Sequence, residues 1–173
     1  HVVTHDVGIE QVLVADGTVV LQEGTTVLPG FATAVDGSNK FITMGGGGLW
    51  LARGSNLNAE EDWVIRGSGT AIQQAYRVGD PIATGSSETW AEDGSVTSTF
   101  FAQAADGQGN YVIGGFTNAA DVFANSVLVY NNQTVVAREN DPVDLDGNGV
   151  FDDGVYIRSF NADSVAIVQG ALL

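Results

Sequence analysis

The sequence predicts an all-β protein: a propeller-like repeat of four-stranded antiparallel units, with half-units at both ends. Three observations carry that expectation. A strand–turn–strand segment recurs along the chain, a proline-ended strand terminator follows its copies, and 23 glycines occur among 173 residues with no long run of helix formers.

The hairpin is clearest at Gln11–Val20, where a β-branched run meets Asp16-Gly17 and resumes at Thr18. Trp63–Ile72 repeats it with Gly67-Ser68-Gly69 at the turn, and Ser126–Val136 repeats it with Asn131-Asn132-Gln133. These turn residues tolerate positive φ, as tight hairpins require. Thr18, Thr70 and Thr134 each open the return strand, 52 and then 64 residues apart. The return strands end alike, in Arg77-Val78-Gly79-Asp80-Pro81 and Arg138-Glu139-Asn140-Asp141-Pro142, with Gln22-Glu23-Gly24-Thr25 as a decayed copy. Proline stops a strand because it has no N–H for the ladder.

A second element pairs Asp36–Ile42 with Asp106–Val112, 70 residues later. Apolar stretches precede both, Phe31–Val35 and Thr99–Ala104, and glycines follow both, at Gly45–Gly48 and Gly114-Gly115. The expected organisation is one β-repeat domain over 1–173. It holds a half-unit at about 9–24, full units at about 31–81 and 99–142, a loop at 144–153, and a half-unit at about 155–173. In the last, Val155–Phe160 and Val165–Gly170 flank a turn at Asn161-Ala162-Asp163. Half-units that pair between subunits would build a ring or filament by strand addition.

Asp106-Gly107-Gln108-Gly109-Asn110-Tyr111-Val112-Ile113 resembles the Asn-x-x-Gly-x-x-Ala-Phe signature of bacterial secreted and cell-surface tandem-repeat proteins, with Asp for Asn and Val-Ile for Ala-Phe. Arg138–Pro142 and Arg77–Pro81 resemble the Arg-Glu-Gly-Asp-Pro-like segment that continues those repeats. The resemblance covers most of the chain from about residue 9. It implies a propeller-like β fold on an exported protein and implies no reaction.

Composition narrows the function. Acidic residues outnumber basic ones 21 to 6, and the net charge is −15. Such a surface repels nucleic acid and anionic membrane and favours cations. No apolar stretch is long enough to span a membrane and no signal peptide is present, which leaves a cytosolic protein or a mature exported one. The resemblance implies the second, extracellular or at the cell surface with its signal peptide removed. The absence of cysteine removes disulfides and thiol chemistry.

The sharpest motif is Asp144-Leu145-Asp146-Gly147-Asn148-Gly149-Val150-Phe151-Asp152-Asp153. Oxygens at positions 1, 3 and 5, glycine at 6, a backbone carbonyl at 7 and a carboxylate at 9 match the first part of a calcium loop. The expected Ca2+ ligands are Asp144, Asp146, Asn148, the Val150 carbonyl, and Asp152 or Asp153. Position 12 of an EF-hand would be Val155, which cannot ligate, so the loop reads as EF-like and set between strands. A polar Asp/Gly turn that binds nothing is the plain alternative.

Other candidates are weaker. His1 and His5 are the only histidines, which leaves little for a copper site or a Ser-His-Asp triad. Gly45–Gly48 lacks the Gly-Lys-Ser/Thr ending of a phosphate loop and reads as close backbone packing or a turn. Asn132-Gln133-Thr134 is a glycosylation sequon on a hairpin turn. Glu60-Glu61-Asp62 and Glu92-Asp93 are acid pairs of the kind glycosidases use. Trp50, Trp63 and Trp90 are candidates for a polysaccharide-binding face or for core. The reading favoured is a non-enzymatic, calcium-stabilised structural subunit that self-assembles through its half-units. The alternative is a carbohydrate- or matrix-binding propeller domain of a larger surface protein.

Overall fold

The computed structural model describes residues 2–7, 10–36, 41–56, 61–92, 94, 98–160, 165–168 and 171–172. Among the described residues the chain is all-β, with antiparallel sheets and one 3₁₀ turn, Gly46–Gly48. The first sheet is β1 (Val2–Val7), β2 (Glu10–Ala15) and β3 (Thr18–Gln22). The second is β4 (Phe41–Met44), β5 (Leu49–Gly54), β6 (Trp63–Ser68) and β7 (Ala71–Arg77). The third is β8 (Phe100–Ala105), β9 (Tyr111–Phe116), β10 (Ser126–Tyr130) and β11 (Thr134–Arg138). Two two-stranded ribbons follow, β12 (Pro142–Val143) with β13 (Val155–Tyr156), and β14 (Ile167–Val168) with β15 (Ala171–Leu172).

The three hairpins form where the turn chemistry puts them. Asp16 and Gly17 lie at φ 49° and 79°, Gly69 at 55°, and Asn131 and Asn132 at 50° and 55°. Each hairpin also has a register shift two residues before its turn, at Leu13/Val14, Arg66/Gly67 and Leu128/Val129. The closing pairs are Ala15↔Thr18, Ser68↔Ala71 and Tyr130↔Thr134. Ala71, not Thr70, therefore occupies the place of Thr18 and Thr134; Thr70 sits inside its turn.

The three terminators share one geometry. Thr25 N–H donates to Gln22 O (3.2 Å), Asp80 N–H to Arg77 O (3.1 Å) and Asp141 N–H to Arg138 O (3.0 Å). The third residue of each has positive φ: Gly24 66°, Gly79 88° and Asn140 70°. Asp80 and Asp141 also accept the Arg77 and Arg138 amides, a role that Thr26 Oγ1 takes for Gln22.

The sheets stack face to face, and period-two alternation divides the cores between them. Leu13 and Leu21 of the first sheet meet Trp50, Ala52, Trp63 and Ile65 of the second, with Leu28, Phe31 and Val35 of the connection filling the gap. Leu51, Val64 and Tyr76, on the opposite face, meet Phe100, Tyr111, Ile113, Val127 and Val129 of the third. Ile82, Ala83 and Trp90 complete that layer. The far face of the third sheet, Ala104, Val112 and Leu128, is covered by Ile167, Phe160 and Val165. Central strands β5 and β6 are thus buried on both sides, which explains their nearly continuous apolar runs.

Four expectations change. Phe31–Val35 is not a strand, because Pro29 and the positive-φ Gly30 bend it and its side chains plug the core; only the bridges Val27↔Ala34 and Val35↔Asn56 remain. The 70-residue match aligns unlike strands: Phe41 opens the first strand of its sheet, Tyr111 the second of its own. The N-terminal sheet has a third strand, β1, outside the expected half-unit at 9–24. Finally, Val155–Phe160 contributes a two-residue strand, and it pairs back onto β12 rather than with the segment after Asn161-Ala162-Asp163, a turn outside the described residues.

Gly45–Gly48 is a close-packing device between the second and third sheets. Gly46 N–H donates to Asp106 O at 2.7 Å, and a Cβ on Gly46 would stand 1.7 Å from Gly107 O. Gln103 ties the same sheets from β8, its amide donating to Phe41 O (2.9 Å) and Leu51 O (3.4 Å).

Candidate metal centre

The acidic segment is the loop of the β12–β13 ribbon, held at its base by Pro142↔Tyr156 and Val143↔Val155. Two glycines in the left-handed region, Gly147 at φ 74° and Gly149 at 84°, wind it tightly enough for alternate residues to converge. Carboxylate oxygens of Asp144, Asp146 and Asp153 all lie within 4.8 Å of one another.

Backbone amides orient these groups. Asp144 Oδ1 accepts Gly147 N–H (2.8 Å) and Asn148 N–H (3.2 Å), and its Oδ2 accepts Gly149 N–H (2.8 Å). Those bonds, Gly149's foremost, hold the Asp144 carboxyl below the usual carboxylate range. Asn148 donates its side-chain amide to Asp146 Oδ2 (3.0 Å), while its Oδ1 accepts Val150 N–H (2.7 Å). Asp153 Oδ2 accepts Leu145 N–H (2.7 Å), which fastens the end of the loop to its start.

Of the sequence-predicted ligands, the structure gathers Asp144, Asp146 and Asp153, with Asn148 bonded beside them. Between the two closing carboxylates offered, Asp153 joins the cluster and Asp152 does not. The donor set is entirely oxygen, which suits a hard divalent cation of the calcium or magnesium class.

The other candidates resolve into structure. All three tryptophans are core: Trp50 and Trp63 are fully buried, and Trp90 is 1% exposed. They therefore form no polysaccharide platform, because their faces are spent between stacked sheets. Glu61 accepts Thr33 Oγ1 (2.7 Å) and Asn56 Nδ2 (2.9 Å), so it anchors the first connection. Asp62 is buried and accepts the Thr99 N–H; burial pushes its carboxyl up. Glu60, Asp93 and His1 lie outside the described residues, and His5 pairs through its backbone with Val12 in the first sheet. Asn132 sits in the β10–β11 turn, where its carbonyl accepts both the amide and the hydroxyl of Thr84.

One ion pair escaped the sequence reading. Arg138 grips Glu88 through both guanidinium nitrogens (2.9 and 2.7 Å), and Thr117 donates its hydroxyl to the same carboxylate. Burial alone would raise the Glu88 carboxyl, but these partners hold it below its ordinary value. The 50-residue separation left no local signal. Beside the acidic loop lies a groove of about 470 Å³ lined by Phe123, Glu139, Asn140, Tyr156, Ile157 and Arg158. Phe123 is 73% exposed there and Tyr156 56%.

Among the described residues, no helix is long and apolar enough to cross a membrane. No protein-family model matches this chain, and no match was found among the curated proteins or the solved structures searched.

Proposed function

We propose that this chain is a non-catalytic, extracellular structural module: a calcium-stabilised repeat of propeller-like units that associates with further copies into a fibre or ring. The observation that carries this reading is the threefold recurrence of one hairpin and one terminator turn, joined to sheets stacked in series. Such quasi-one-dimensional stacking makes each sheet a platform for the next. The loop carboxylates Asp144, Asp146 and Asp153 support a calcium brace in the connection beyond the third sheet. The acidic surface suits a calcium-rich exterior.

Two measurements test the reading. Calcium should raise the melting temperature by about 5–10 °C at a hundredfold excess over its dissociation constant, through ligand linkage. Sedimentation should show concentration-dependent association in calcium. A chain that neither binds calcium nor leaves the monomer state would defeat the proposal.

A further inference from the structure

The connections between sheets carry a docking rule, and the third connection has its seat open. In the first, Gly24 N–H donates to Val35 O and Val35 N–H returns to Thr26 O, both at 2.9 Å. In the second, Gly79 N–H donates to Trp90 O (2.8 Å) and Trp90 N–H to Asp80 O (2.9 Å). In the third, Asn140 N–H donates to Ile157 O (2.7 Å) and Ile157 N–H to Asp141 O (2.9 Å). Val35, Trp90 and Ile157 are therefore equivalent residues.

Among the described residues the next step happens twice. Asp36 N–H donates to Ser55 O (3.0 Å) beside the bridge Val35↔Asn56, and Ala91 N–H donates to Phe116 O (2.9 Å) beside Trp90↔Thr117. In both, the connection seizes the backbone just where the second strand of the following sheet ends: β5 ends at Gly54 and β9 at Phe116. Val35 and Trp90 are buried as a result, at 0% and 1% exposure. Ile157 is only half-buried, and Arg158, which stands in the place of Asp36 and Ala91, finds no such carbonyl among the described residues. The groove with exposed Phe123 and Tyr156 opens at this point.

We propose that the Tyr156–Arg158 edge receives the end of β1 from a second copy of this chain, head to tail. The proposal rests on the self-association reading above and names its surface. The first sheet fits the vacancy. Its β2–β3 hairpin matches β6–β7 and β10–β11 in turn and register shift, so β1 holds the second-strand place that β5 and β9 hold. Among the described residues no strand fills the first-strand place of that sheet, and Ile167–Val168 offers a candidate. Ile167 follows Ile157 by the same ten residues that separate Phe100 from Trp90, and it packs on the far face of the third sheet. Seating β1 beside β14, in place of the two-residue β15, gives the third sheet a four-stranded neighbour. Edge pairing of this kind draws its affinity from main-chain hydrogen bonds, and the aromatic groove contributes apolar burial.

The chain has no cysteine, so cross-linking reads the contact directly. Two single-cysteine proteins, Val7→Cys and Arg158→Cys, are oxidised separately and as a mixture at physiological salt with calcium. The expected result is a mixed disulfide dimer severalfold above either homodimer. Arg158→Pro, which deletes the donor amide, should abolish association of the cysteine-free chain, whereas Arg158→Ala should retain it. Association without the mixed disulfide, and unchanged by Arg158→Pro, overturns the seat while leaving self-association standing. A monomer under every condition overturns both.

Discussion

The stacking of the second and third sheets makes a sharp thermodynamic prediction at Tyr76 and Tyr111. Their hydroxyls meet at 2.6 Å inside the core, from β7 and the start of β9, with rings 6.5 Å apart. Burial and the paired hydroxyl push the Tyr76 phenol well above its ordinary value. Tyr76→Phe removes one partner and leaves the Tyr111 hydroxyl buried and unsatisfied. The lost bond contributes about 1 kcal/mol and the orphaned group costs about 1–3 kcal/mol. A loss of about 2–4 kcal/mol follows, which for a domain of this size lowers the melting temperature by about 4–16 °C. Removing both hydroxyls leaves nothing unsatisfied, so the double variant should recover to within about 1 kcal/mol of the wild type. Urea denaturation of the four proteins completes the cycle; if Tyr111→Phe costs as much as Tyr76→Phe, the coupling energy is about 3 kcal/mol or more. Additive losses would show that the two hydroxyls do not meet and that these sheets do not face each other as described.

Other predictions follow from the same contacts. Gly67→Ala would drive a Cβ to 2.0 Å from the Trp50 indole, so it should destabilise the chain by at least about 1–3 kcal/mol in thermal scans. Calcium stabilisation should vanish in Asp146→Ala, and a chelator should lower the wild-type melting temperature without affecting that variant. Glu88 and Asp62 should shape the pH profile in opposite senses. The folded Glu88 carboxyl is held below its ordinary 4.5, so its contribution is present above that pH and is lost as pH falls through the folded value; Glu88→Gln should flatten the acid limb of a stability–pH curve. The folded Asp62 carboxyl is raised above its ordinary 3.8, so its contribution is complete below 3.8 and is lost as pH rises through the raised value. Relative to wild type, Asp62→Asn should therefore gain stability from acid to neutral pH.

What the sequence determined by itself was local. Asp16-Gly17, Gly69 and Asn131-Asn132 fix tight turns because their own backbones accept positive φ, and Arg77–Pro81 and Arg138–Pro142 close into one turn type through bonds three residues apart. The Asp144–Asp153 motif likewise winds into its loop by short-range amide–carboxylate bonds, which bring the carboxylates of Asp144, Asp146 and Asp153 together. Only the tertiary structure decided which face each strand buries and which strands are neighbours. The tryptophans, at strand positions that favour core over a sugar-binding face, gained their neighbours only when the stacked sheets closed over them. Val155 could pair forward or back until the β12–β13 ribbon took it, and Gly46 gained its reason from Gly107, 61 residues away. Turns are set by dihedral preferences within a few residues. Burial and pairing are set by contacts between segments whose separation along the chain leaves no periodic trace.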